Sequence, residues 1–146
     1  MKPVAKALLT GCVVLVVLGI VAVLAGVWWL RQNKDRLLEQ GKAVRAEGEA
    51  FGRSATASAC VDKALETYRG GSGLMRELHA RIWLGGCFET ATPESALCTG
   101  VPPKSEIMRT VAWRLGECSR RGLDGDKGCT RILEELQQYC ESGARR

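Results

Sequence analysis

The sequence predicts an all-α protein in which an N-terminal transmembrane helix continues into a disulfide-stapled bundle of about four helices. Three observations carry that expectation. Ala7–Leu30 is a run of 24 residues without charge or proline, and six of the seven cysteines are spread through residues 31–146. The segments between those cysteines repeat apolar residues at steps of three and four, with no convincing strand alternation.

As a helix, Ala7–Leu30 would cover roughly 36 Å, enough to cross a hydrocarbon core of about 30 Å with some tilt. Lys2 and Lys6 make residues 1–6 a short basic tail. Thr10-Gly11-Cys12 has the form of a lipobox, yet an export signal needs an apolar region of about 7 to 15 residues before its cleavage point. Only Ala7–Leu9 precede Cys12 here. Cleavage after Val23-Leu24-Ala25 would leave Trp28-Trp29 near a new N-terminus in water. The same pair followed by Arg31 makes better sense as an aromatic belt at the far interface. The expectation is an uncleaved signal-anchor over 7–30, followed by one domain over 31–146.

After Leu30, nineteen Lys/Arg and sixteen Asp/Glu are mixed in sign. A nucleic-acid domain shows a basic face or stripe, so no nucleic-acid partner is expected, and Arg145-Arg146 reads as a solvated end.

Cys60, Cys87, Cys98, Cys118, Cys129 and Cys140 form an even set in a small domain, which implies three disulfides. No Cys-x-x-Cys spacing occurs, and His79 is the single histidine. Zinc, haem and thioredoxin-type chemistry lose their signatures, and no metal or cofactor is expected. Oxidised cysteines imply an extracytoplasmic side, periplasm or lumen. Flanking charge points the other way, because Arg31, Lys34, Arg36, Lys42 and Arg45 follow the anchor. The cysteines are given more weight because long domains translocate largely regardless of charge. In the reversed orientation they would be reduced, buried apolar residues.

Proline-free Asn33–Arg69 reads as one long helix with Leu37, Gly41, Val44, Gly48, Phe51 and Ala55 along a heptad stripe. Gly70-Gly71-Ser72-Gly73 ends it. A second helix over 73–88 is expected to bury Leu74, Leu78 and Ile82, with Met75 beside them and Trp83 in the core. Thr92-Pro93 and Gly100-Val101-Pro102-Pro103 mark a loop. A third helix over 104–120 is expected to turn Ile107, Val111, Leu115 and Cys118 inward, with Met108 and Ala112 alongside. The fourth, over 126–142, sets Cys129, Ile132, Leu133, Leu136, Tyr139 and Cys140 opposite Arg131, Glu134, Glu135 and Gln138.

Cys129 and Cys140 are about 16.5 Å apart along one helix, beyond the roughly 7 Å that a disulfide allows. Cys118 and Cys129 lie symmetrically about the turn at Leu123-Asp124, where an antiparallel hairpin brings residues together. That pairing is favoured, with 60–87 and 98–140 for the remainder, one of the fifteen schemes possible for six cysteines.

No motif supplies a nucleophile to accompany His79, so a structural or surface role is expected for it. Glu134-Glu135 read as solvated charges. Asp124–Gly128 lacks the ligands of a calcium loop and reads as a turn with a helix cap. Trp113 falls on the side of its helix away from the apolar row, with Arg109 and Glu117 four residues to either side. These three form a candidate partner contact unless the preceding loop covers them. Gly19, Ala22 and Gly26 in the anchor, continued by Gly41 and Gly48, are candidate helix-association positions, for a homodimer or for packing of the stem on its own domain.

The expected function is therefore that of a single-pass, membrane-anchored envelope protein, not an enzyme, serving as a protein-interaction or scaffold module. The alternative is a small-molecule or lipid-binding helical protein with an apolar cavity.

Overall fold

In the computed structural model the described residues are 2–69, 71 and 73–143, and the described side chains begin at Val13. The Cys12 thiol, the basic side chains of the 1–6 tail, part of the Gly70–Gly73 turn and the Arg145-Arg146 end lie outside them. Five α-helices follow in order: α1 Lys2–Gly52, α2 Ala57–Arg69, α3 Leu74–Thr90, α4 Ile107–Arg120 and α5 Lys127–Gly143, with a 3-10 turn at Ser95–Cys98. Among the described residues there is no strand, only an isolated bridge between Thr56 and Thr92. The chain divides into two compact units, Met1–Gln40 and Gly41–Arg146.

In the first unit the large apolar side chains from Val13 to Leu30 are exposed, Trp28 and Trp29 included. It contains the one helical segment, among the described residues, long and apolar enough to cross a membrane. A helix that is apolar all round needs an apolar surrounding.

The second unit is built around α5. Its face of Cys129, Ile132, Leu133, Leu136 and Cys140 is buried as its periodicity predicts, against Val61, Leu65, Tyr68 and Leu84 from α2 and α3. The disulfides are Cys60–Cys87, Cys98–Cys140 and Cys118–Cys129, with Cα separations of 6.0, 5.4 and 6.0 Å. Cys118–Cys129 is the pair that the spacing favours, and the other two are those chosen for the remainder. The first bolts α2 to α3, the second pins the 3-10 turn to α5, and the third closes the α4–α5 hairpin. In that hairpin Gly122 and Gly125 take positive φ (70° and 67°), which glycine adopts without the steric penalty of a side chain.

The long helix expected over Asn33–Arg69 is interrupted: α1 stops at Gly52 and α2 starts at Ala57. Thr56 caps the new helix by accepting the Ala59 amide at 3.4 Å, and Glu94 accepts the Ser58 amide at 2.8 Å. The residues that hold the break in place come from the 91–94 loop, far along the chain. Hydrogen bonds from the Ser58 hydroxyl and amide also hold the Glu94 carboxyl below its ordinary pKa.

The α1 tail is seated on α3 by a close approach. A Cβ at Gly48 would lie 2.1 Å from the Trp83 carbonyl oxygen, and one at Gly86 would lie 2.3 Å from the Arg45 carbonyl oxygen. Thr90 Oγ1 donates to the Glu49 carbonyl at 2.7 Å, Arg45 pairs with Glu89, and Phe51 packs on Trp83 with ring centroids 5.3 Å apart. Gly48 therefore serves packing within the chain and is withdrawn from the helix-association set. At Gly19, Gly26 and Gly41 nothing lies within 4 Å of a built Cβ.

Where α5 begins, Asp126 accepts the Cys129 amide at 2.9 Å and the Tyr68 hydroxyl at 2.8 Å, which makes it a helix cap. Burial followed by the hydrogen bond to Asp126 pushes the Tyr68 phenol from its ordinary 10.0 up to about 12. Burial raises the Asp126 carboxyl, but the bonds from Cys129, Tyr68 and Gly128 outweigh it and leave the pKa lowered. Because the folded Tyr68 pKa is raised, its contribution to stability is complete below about pH 10 and is lost as the pH climbs through about 12. The Asp126 contribution has the opposite sense: present above its ordinary 3.8, it is lost as the pH falls through the lowered folded value. Melting curves across alkaline pH should show a falling limb that Tyr68→Phe flattens. An unchanged limb in that variant would assign it elsewhere.

Candidate functional site

Helix α4 differs most from expectation. The row that faces inward is Thr110, Arg114 and Cys118, while Ile107, Met108, Val111 and Leu115 are 71%, 81%, 49% and 46% exposed. Trp113, read as a partner contact unless the preceding loop covers it, packs against the core as a partly buried side chain, as do Leu97 and Val101. Two constraints set this rotation. Cys118 must reach Cys129, and a polar network fixes the rest of the row. Buried Gln137 donates from Nε2 to the Pro102 carbonyl at 2.6 Å and to Thr110 Oγ1 at 2.9 Å, and it accepts Arg114 Nη2 at 2.5 Å. A buried amide left without partners costs about 1–3 kcal/mol, so the helix turns its polar row inward.

The three residues expected to make a contact stripe are thereby separated. Trp113 belongs to the core edge. Glu117 is clasped by Arg120 and Arg121. Burial raises its carboxyl, but hydrogen bonds from Arg121 and Arg120 outweigh that and leave its pKa lowered. Of the three, Arg109 is the one that is largely exposed, paired with Glu106 one turn back on the helix. The opposite, aliphatic side of α4 is the exposed one. That side carries no charge between Ile107 and Leu115, and Ala112 lies within it.

Helix α3 is turned in a similar sense. Leu74, Met75 and Leu78 are exposed, Ile82 is partly so, and the buried row is Glu77, Ala80, Leu84 and Cys87. Small Ala80 and Gly86 let α2 and α1 come close, and Cys87 must meet Cys60, which together select that row. Trp83, expected in the core, packs against it partly buried.

The acidic residues on α5 make interhelical clasps. Arg81 of α3 pairs with Glu135 at 2.8 Å and Glu134 at 3.8 Å, and Arg114 of α4 reaches Glu134 at 3.9 Å. Arg131 pairs with Glu77 at 2.9 Å. Helices α3 and α4 thus flank α5, fixing the rigid layer that displays the α4 face.

Two clefts open on this unit. One, of about 450 Å³, is rimmed by Asp62, Lys63, Glu66, Arg69 and Arg121 beside Phe51. The other, of about 220 Å³, is bordered by Glu47, Lys63, His79 and Trp83. Both have charged rims and neither has the wholly apolar lining expected for a lipid. Among the described residues no three His, Cys, Asp or Glu side chains converge as a metal site. Comparison with protein-family models, with curated proteins and with solved structures gives no match for this chain.

Proposed function

We propose that this chain is a single-pass membrane protein whose disulfide-stapled domain is a non-enzymatic docking module. Residues 7–30 act as an uncleaved signal-anchor, and the domain faces the periplasm or a lumen, where its cysteines are oxidised. The aliphatic face of α4 carries the reading. Contiguous exposed apolar surface on a rigid domain is costly in water and marks an interaction site, and a face on a stapled layer docks with little ordering cost.

The test uses a photo-cross-linking residue at position 108 of the full chain in its native membrane, with position 138 on α5 as a control. A discrete product should form from 108 and not from 138. Val111→Glu should suppress it by the equivalent of about 2 kcal/mol or more, the scale of an interface hot spot, while the melting temperature stays near wild type. Equal products from both positions, or indifference to Val111→Glu, would contradict the reading.

A further inference from the structure

With residues 7–30 as the anchor proposed above, and independently of the α4 face, we infer that the start of α3 is a second membrane contact. Leu74, Met75 and Leu78 enter the headgroup region of the bilayer, and Arg76 meets its phosphates. Leu74 and Met75 are 71% and 74% exposed, Leu78 is exposed as well, and spacings of three and four residues make the three one patch on the helix. The acid of this stretch is withdrawn from the surface, since Glu77 is buried and pairs with Arg131 at 2.9 Å. Arg76 is exposed, and its guanidinium folds back over the segment before the helix, where a Cβ at Gly71 would lie 2.7 Å from its Cζ. The patch thus turns outward three apolar side chains and a cation. That combination suits the boundary between acyl chains and anionic headgroups.

The course of the chain selects a lipid surface as the occupant. Within the Gly41–Arg146 unit, a Cβ at Gly48 would meet Trp83 and Cys87, and one at Gly52, a turn later, would meet Cys87, Thr90 and Ala91. The α1 tail and α3 therefore advance in the same direction, and Glu47 borders one cleft with His79. Followed back from Glu47, the chain leaves the unit toward the end that carries Leu74, and beyond Gly41 it leads to the anchor. The eleven residue steps from Leu30 to Gly41 span at most about 40 Å when fully extended. That end of the unit is thus held near the bilayer however the two units are disposed, at a high effective concentration of lipid. The α4 face is placed differently. Helix α3 runs parallel to α5 through Glu77–Arg131 and Arg81–Glu135, whereas α4 runs antiparallel to it through Cys118–Cys129 and Arg114–Gln137. Ile107 and Met108 consequently lie toward the other end, away from the point where the chain leaves for the anchor.

The test takes the full chain with Cys12→Ser and its three disulfides intact, reconstituted in phosphatidylcholine vesicles with or without phosphatidylglycerol. A single polarity-sensitive dye is attached at Met75→Cys or, as a control, at Gln138→Cys. Lipid carrying a nitroxide near the headgroup should quench the dye at 75 and the bilayer should shield it from aqueous iodide, as insertion by about 5–10 Å requires. The dye at 138 should behave in the reverse way. Leu74→Gln should lower the ratio of docked to undocked chains read at 75 by about tenfold, and Arg76→Gln by about fivefold only in the vesicles that contain phosphatidylglycerol. Melting temperature and flotation with the vesicles should stay as in the parent chain for both. Iodide quenching at 75 equal to that at 138 would overturn the contact. Lipid quenching at 75 that persists in Leu74→Gln would overturn it as well, because the tether alone would then account for it. A cross-link between two Met75→Cys chains in place of lipid quenching would assign the patch to a second copy and remove the lipid. Failure of the parent chain to float would overturn the anchor itself, whereas flotation without lipid quenching removes this contact and leaves the anchor and the α4 face standing.

Discussion

Gly48→Leu should destabilise the Gly41–Arg146 unit by about 3 kcal/mol or more, at the upper end of overpacking substitutions. The built Cβ meets main chain, the Trp83 carbonyl oxygen at 2.1 Å and the Cys87 amide nitrogen at 3.0 Å. A side-chain rotation cannot relieve a clash with backbone, so α1 has to lift from α3. The Thr90–Glu49 hydrogen bond and the Phe51–Trp83 contact lie on the same surface and go with it. For a domain of this size the loss corresponds to a fall in melting temperature on the order of 10 °C. Gly41→Leu is the companion, since nothing lies within 4 Å of a Cβ there, and it should melt within about 0.5 kcal/mol of wild type. Equal melting temperatures for the two variants would refute the seating of α1 on α3.

Removing the Cys60–Cys87 disulfide with alanine at both positions should cost more than removing Cys118–Cys129. Sequence separations of 27 and 11 give chain-entropy contributions of about 3.6 and about 2.8 kcal/mol. All four half-cystines are fully buried, so lost packing adds to both. Cys98–Cys140 spans 42 residues, for which the same relation gives about 3.9 kcal/mol. It should nevertheless cost less than that figure, because Cys98 is partly exposed and pins a loop, which gives under strain more readily than two packed helices. Chemical denaturation of the three double variants provides the comparison. A larger loss for 118–129 than for 60–87 would show that unfolded-chain entropy does not set the order.

What the sequence disclosed about the fold divides along a physical line. The all-α class, the apolar N-terminal helix, the α5 core face and the Cys118–Cys129 disulfide follow from local periodicity and helix geometry. Cys129 and Cys140 are too far apart on one helix to bond, and Cys118 faces Cys129 across a short turn. The break at 53–56 was not legible, because it depends on Thr92 and Glu94, whose hydrogen bonds to Ala55, Ala57 and Ser58 arrive from another part of the chain.

The rotation of α3 and α4 shows why an apolar row alone misleads. On α4 the aliphatic residues make the most apolar stripe, yet burial is decided by Cys118 and by the satisfaction of Gln137. A buried disulfide and a buried amide outweigh the burial of four aliphatic side chains at the edge of the domain. Cys118 is inward in both readings, so what turns α4 is the Gln137 network with Pro102, Thr110 and Arg114, which an apolar periodicity does not display. The Arg109–Trp113–Glu117 stripe followed from the same misassigned rotation.

The central claim is an oxidised, stapled domain across the membrane from the cytosol, tethered by an intact helix. It is tested most directly by treating native, unreduced membranes with a bulky maleimide and measuring the mass added to the full-length chain. In the full chain carrying Cys12→Ser, the account predicts no label on Cys60, Cys87, Cys98, Cys118, Cys129 or Cys140 after denaturation without reductant, and six labels after denaturation with it. Labelling of all six without reductant would place the domain in a reducing compartment and contradict the account.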